Sequence, residues 1–216
     1  MPVYVSKLMR KILISGLLFC ACCSVSIAQS SKLEIGVEGG FNTSYLQDTN
    51  SGANSDAVYG VNLGVTGDYY FSSHWSLKAK LLYDQKGWGN GYLVGADGSE
   101  ITGINFKLNY LTIPLMASFH FGHTRNFYID FGPYVGALLS ASDNNGDSGV
   151  KSNFNSSDFG FDFGIGWKYP ISKSVKFFVE GEAQAGAVNI FNPNNGSSFE
   201  GERSSLNVGF DFPMGK

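Results

Sequence analysis

The sequence predicts an all-β protein, an eight-stranded antiparallel up-and-down transmembrane β-barrel. Three observations lead there. Apolar and polar residues alternate with a period of two in one segment after another from Leu33 to Phe212, which marks strands with one apolar and one polar face. The segments are joined alternately by tight turns and by long stretches rich in Asn, Gly, Ser and Asp. An export leader precedes them, and nothing after it has the period of a helix.

The leader occupies residues 1–28. Lys7, Arg10 and Lys11 form its positive region, Ile12 to Cys20 its apolar region, and Ser26-Ile27-Ala28 supplies small residues for cleavage before Gln29. The apolar run is shorter than the roughly 20 residues a spanning helix needs. Cys20, Cys22 and Cys23 are the three cysteines of the chain and all lie in the leader. The exported domain, residues 29–216, therefore has no thiol for disulfides, zinc or nucleophilic catalysis. Cys22 follows Ala21, but Phe19 is a poor fit to a lipoprotein signal. Removing the leader's three cations takes the formal net charge from −3 to −6, which argues against a nucleic-acid partner. The 28 glycines and 15 % aromatics suit a tightly curved sheet with aromatic girdles.

The first strand is expected over Lys32–Tyr45, with Leu33, Ile35, Val37, Phe41 and Tyr45 on one face and Glu34, Glu38 and Asn42 on the other. The second, Ala57–Phe71, sets Val61, Leu63, Val65, Tyr69 and Phe71 against Asn62, Thr66 and Asp68. The third, Trp75–Lys86, opposes Trp75, Leu77, Leu81 and Tyr83 to Lys78, Lys80 and Asp84.

The fourth is the least regular. Ile104, Phe106, Leu108 and Tyr110 alternate with Asn105, Lys107 and Asn109, and then Ile113, Leu115, Ala117, Phe119 and Phe121 carry the apolar face. A slip of one residue turns a strand inside out unless a bulge absorbs it, so a bulge is expected near Leu111–Pro114, where Pro114 donates no ladder bond.

The fifth, Asn126–Leu139, places Phe127, Ile129, Phe131, Val135 and Leu139 opposite Tyr128, Asp130 and Tyr134. The sixth, Asp158–Pro170, alternates most cleanly, with Phe159, Phe161, Phe163, Ile165, Trp167 and Tyr169 against Asp162, Lys168 and three glycines. The seventh, Val175–Phe191, opposes Phe177, Val179 and Ala183 to Glu180, Glu182 and Gln184. The eighth runs over Leu206–Phe212 with Asp211 on its polar face.

Ser72–His74, Gly122–Arg125 and Ser172–Ser174 are the tight turns; residues 47–56, 88–103, 143–157 and 192–203 are the long connections. Outer-membrane barrels have short periplasmic turns and long external loops, so both ends of the barrel domain fall on the periplasmic side. Tyr69, Phe71, Trp75, Phe119, Phe121, Phe127, Trp167, Tyr169, Phe177 and Phe178 flank the turns and read as a membrane girdle.

Two strings go beyond generic alternation. Tyr110-Leu-Thr-Ile-Pro-Leu-Met-Ala117 and Phe127-Tyr-Ile-Asp-Phe-Gly-Pro-Tyr-Val-Gly136 resemble the "YLxIPL" and "FYxxxGPYxG" signatures of the Bacteroidetes PorT-like outer-membrane β-barrel family. Asp158 to Gly166 is similar to that family's sixth strand. The resemblance spans about residues 32–214. It implies an outer-membrane barrel and, through its namesake, a link to secretion and gliding motility.

The polar face carries Glu34, Glu38, Asp68, Lys78, Lys80, Asp84, Lys107, Asp130, Asp162, Lys168, Glu180, Glu182 and Asp211. An eight-stranded barrel has an interior that side chains just fill, so these charges are expected to form an interlocked structural network in the lumen. A cation-preferring pore is the functional alternative. A soluble, lipocalin-like barrel with the apolar face inward is another.

No catalytic residues, metal site or cofactor are expected. His74, His120 and His123 all lie at or beside the tight turns, and no Gly-x-Ser-x-Gly elbow is present. The Asp143–Gly149 loop spaces oxygens as calcium loops do, but lacks Gly at its sixth position and has Phe154 at its twelfth. The partners expected are outer-membrane lipid and other envelope proteins, the latter through residues 88–103 and 143–157. The role expected is structural and interactive.

Overall fold

The structure is a computed structural model that describes residues 32–50, 52, 54–94, 100–144, 149–191 and 199–214. The expected leader and its cleavage point lie outside them. Eight strands follow one another: β1 (Lys32–Asp48), β2 (Val58–Tyr70), β3 (Trp75–Val94), β4 (Glu100–Phe121), β5 (Phe127–Ser142), β6 (Ser157–Pro170), β7 (Lys176–Gly186) and β8 (Phe199–Pro213). Each pairs antiparallel with the next, and β8 returns to β1 from Glu34↔Pro213 to Asp48↔Phe199, closing the barrel. Closure leaves no unpaired edge to face hydrocarbon. The eight-stranded antiparallel barrel expected from the alternation is what the chain forms.

On the part of the wall nearer the tight turns, apolar side chains point out and polar ones in. Val65, Leu81, Leu115, Phe131, Phe163 and Val208 are exposed, while Asp68, Lys80, Asp130, Asp162 and Asn207 are buried. On β4 the outward apolar set runs from Phe121 to Leu111. At the usual strand rise and tilt this covers about 25 Å, the height of an outer-membrane apolar band.

Above that level the two faces exchange character. Asn105 and Lys107 of β4 are exposed, whereas Ile104, Phe106, Leu108 and Tyr110 are buried inside. This corrects two sequence expectations. Lys107 does not join the lumen charges, and β4 carries no bulge at Leu111–Pro114. Its even-numbered residues face inward without interruption from Ile104 to His120. The apolar residues change face because the surroundings change: lipid lies outside below, and an apolar core lies inside above. The register shift sits opposite, on β5. Asn109 pairs with Ser140 and Tyr110 with Leu138, so Leu139 is the extra residue; Leu139 and Ser140 are both exposed.

The outer strands are longer than the sequence suggests. β3 runs on to Val94 and β4 starts at Glu100, so most of the expected 88–103 loop is a hairpin continuing the wall. Gly87-Trp-Gly-Asn-Gly91 belongs to that strand, with irregular register between Trp88 and Gly91 and a positive φ at Asn90. β8 likewise begins at Phe199, within the stretch expected to be loop, whereas β7 stops at Gly186.

Glycines on the inner face of β6 make room for tyrosines of β5. A Cβ at Gly166 would lie 2.2 Å from the Tyr128 ring, and one at Gly160 would lie 2.8 Å from that of Tyr134. The two tyrosines lie flat across the neighbouring strand, which fills a narrow lumen without forcing the wall apart.

Candidate functional site

The lumen is organised as stacked groups of charge. Nearest the tight turns, Lys168 Nζ donates to Glu34 Oε2 (3.0 Å), Asp68 Oδ2 (2.9 Å) and the Tyr70 hydroxyl (3.1 Å), and pairs with Asp211 Oδ2 at 2.8 Å. Lys176 also pairs with Glu34. The Tyr128 ring separates this group from the next: Lys78 Nζ lies 3.9 Å from its centroid and Lys168 Nζ 5.5 Å.

In the middle group Lys78 bridges Asp130 and Glu180, while Lys80 bridges Glu180, Glu182 and Glu38. Arg203 pairs with Glu182, and its Nε lies 3.3 Å from Asp84. Uppermost, Lys86 pairs with Asp158 at 2.9 Å, and the Tyr134 hydroxyl donates to the same carboxylate at 3.2 Å. Asp162 accepts from Gln184 Nε2 at 2.7 Å.

Twelve of the thirteen residues singled out in the sequence thus face the lumen and Lys107 does not. Arg203, Lys86, Asp158 and Lys176 are network members that the sequence reading missed. Parity would have found all of them. Arg203 shares the phase of Asn207 and Asp211, Lys86 that of Lys80 and Asp84, Asp158 that of Asp162, and Lys176 that of Glu180 and Glu182. The pairs span the bore, since Lys80 of β3 meets acids of β7, and Lys168 of β6 meets acids of β1, β2 and β8. Desolvation offsets much of the attraction in such pairs, but removing one partner costs about 3–5 kcal/mol.

Above Lys86 the bore ends in an apolar cap. Trp88 packs on Phe106 at 4.9 Å, edge-on to Phe154 at 5.4 Å and to Phe191 at 5.6 Å between ring centroids. Leu46, Ile104, Leu108, Tyr110, Leu138, Val150 and Ile190 complete this core, and Phe199 packs against it. Hydrogen bonds lock the connections over it. Asn155 N donates to Ile190 O (2.9 Å), its Nδ2 to Asn189 O (2.7 Å), and Ile190 N to Phe199 O (2.9 Å). The cavity lined by Lys86, Trp88, Tyr110, Asp158 and Ile190 measures about 10 Å³, room for no more than one water.

Ser76 Oγ and His120 Nε2 lie 2.8 Å apart, a distance suited to a nucleophile and its base. Both are buried, however, and His120 packs against the Tyr70 ring (4.8 Å) and the Tyr128 ring (5.9 Å). His74 and His123 are exposed on the turns. No three potential metal ligands come together among the described residues. The loop compared with calcium sites, Asp143–Gly149, falls largely on residues 145–148, outside the described ones.

The girdle around the tight turns includes Trp75, Phe119, Phe121, Phe127, Trp167, Tyr169 and Phe177 on the outer surface, with Trp75 on Phe119 at 4.9 Å and Trp167 on Tyr169 at 5.5 Å. Phe178, expected with them, is instead buried, because it shares the inward phase of Glu180 and lies over Gly209.

Comparison with solved structures finds other small outer-membrane barrels. AlkL, determined by solid-state NMR in DMPC bilayers, is 14 % identical, with 87 % of this chain and 92 % of that chain covered and a TM-score of 0.52. OprG from Pseudomonas aeruginosa is 14 % identical, covering 84 % and 95 %, with a TM-score of 0.49. Neisserial surface protein A is 13 % identical, covering 83 % and 97 %, also at 0.49. At 14 % identity the likeness to AlkL is one of fold. No curated protein matches the chain. The family described as outer membrane protein beta-barrel domain matches residues 27–192. With the alternating wall, the closed ring and the lipid-facing belt, that match makes this chain a member of the outer-membrane β-barrel domain family.

Proposed function

We propose that this protein is a non-enzymatic, non-conducting barrel of the bacterial outer membrane that acts through its ends, as a structural and interaction component of the envelope. The observation that carries the reading is the double obstruction of the bore, by paired charges along its length and by the Trp88 core at its mouth. Small barrels with filled interiors leave only their surfaces for work, and loops held on a rigid scaffold are where binding residues collect. The end bearing the long connections is taken as external and the tight turns as periplasmic. The leader is taken as cleaved before Gln29.

The finer affiliation we propose is PorT-like. It is supported by the Tyr110–Ala117 and Phe127–Gly136 strings, whose inward members Tyr110, Tyr128 and Tyr134 build the lumen. The partner-facing elements are then the β3–β4 hairpin (residues 88–103) and the connection 143–157, and the processes to examine are secretion and motility.

Planar-bilayer recording tests the core of the reading. The wild-type protein is expected to pass no steady current. Trp88→Gly combined with Phe154→Gly removes the centre of the cap and should admit at most small, flickering currents through the charge network. Steady large conductance from the wild type would make it a pore.

A further inference from the structure

The two ends of the barrel differ in the sign of their exposed charge. At the tight-turn end, Arg125 and Lys173 are exposed on the turns and Lys176 is partly exposed at the start of β7. His74 and His123 are exposed on the remaining turn positions. Among the described residues no exposed acid accompanies them. The nearest carboxylate, Glu34, points into the bore and is held by Lys168 and Lys176. At the opposite end Asp48, Asp56, Asp143, Glu200 and Glu202 outnumber Lys107 and Lys151.

We infer that the tight-turn rim binds the phosphate headgroups of the surrounding leaflet, as anionic glycerophospholipid. Two features select that occupant. First, the exposed basic positions adjoin the girdle: Arg125 is two residues from Phe127, and Lys173 lies between Tyr169 and Phe177. Their aliphatic stems can therefore lie along the apolar surface with the charge at phosphate depth. Second, the turns are too short to lift these side chains clear of the interface. Phosphates attract such cations through charge and hydrogen bonding together. The orientation taken under the proposed function decides only which leaflet this is in the cell. The conductance test can fail without touching this inference.

The test uses the exported protein in phosphatidylcholine bilayers with trace spin-labelled phosphatidylglycerol or phosphatidylcholine, and reads the fraction of each label immobilised at the protein. The wild type is expected to prefer phosphatidylglycerol severalfold, with the preference lost at high salt. Arg125→Gln and Lys173→Gln should each lower it, by up to about fivefold, while heat-modifiable gel mobility shows both variants folded. Lys107→Gln with Lys151→Gln, at the other end, should leave it unchanged. Equal retention of the two lipids by the wild type would overturn the inference, as would an undiminished preference in the folded double variant R125Q/K173Q. So would binding of polyglutamate by wild type but not R125Q/K173Q without any lipid preference, which would assign the rim to an acidic protein partner.

Discussion

Strand β4 passes through two environments, and its halves are mirror images in polarity. From Leu111 to Phe121 the odd residues are apolar and face outward, while Thr112, Ser118 and His120 face inward. From Ile104 to Tyr110 the even residues are apolar and face inward, while Asn105, Lys107 and Asn109 face outward. The backbone phase never changes. What changes is the medium: the lower half has lipid for a solvent and the upper half behaves as a small soluble barrel with its own core. An apolar alternation therefore fixes that a segment is a strand without fixing which way its apolar face looks.

The largest effect should come from breaking the lower half from within. Lys80→Met leaves Glu38, Glu180 and Glu182 without the cation they share, and should cost about 3–5 kcal/mol. A urea refolding titration in detergent micelles measures it; a loss under 1 kcal/mol would show the network to be electrostatically slack. In the upper half the equivalent blow is apolar. Trp88→Ala should cost about 3–5 kcal/mol where the cap unfolds with the barrel, and hydrogen exchange should show faster amides at Asn155 and Ile190 with the β5–β6 ladder still protected. Uniform acceleration along β5–β6 would mean that the two halves are one cooperative unit.

Next comes the outer wall. Phe163→Lys places a charge against lipid and should destabilise the barrel by about 2–4 kcal/mol, with the same change at the inward Asn62 costing much less. Equal losses at the two sites would contradict the assignment of faces. The smallest effect is the most discriminating. Lys107→Leu, on the outer face above the belt, should shift stability by about 0.5 kcal/mol or less, whereas Leu108→Lys one residue away should be severe. Reversal of that order in the same titration would restore Lys107 to the lumen.

Much of this was readable in advance. The sixth strand, expected at Asp158–Pro170, is observed at Ser157–Pro170, because one medium surrounds its whole length and the alternation is unbroken. The sequence is least legible at the change of medium. Lys107 reads as a lumen residue because the polar residues of the other strands point there. Arg203 reads as loop because a run of Asn, Gly and Ser precedes it, although β8 begins at Phe199. Trp88 sits between glycines that suggest a loop, and its burial depends on Phe154 and Phe191, residues more than sixty positions away that no local pattern connects to it.

The cross-bore pairs bear on how such a wall is assembled. Lys168 of β6 gains its full set of acids only when β1, β2 and β8 are all in place, and Lys80 of β3 meets two of its three acids only when β7 stands across from it. A half-finished sheet entering the bilayer would carry these ions with no counter-ion and little water, so every intermediate short of the complete circle lies uphill. Hairpins can form one at a time, but the last juncture, β8 to β1, releases the accumulated penalty at once. Insertion should accordingly look all-or-none in kinetic traces, and the seam between the chain's two ends should act as the latch.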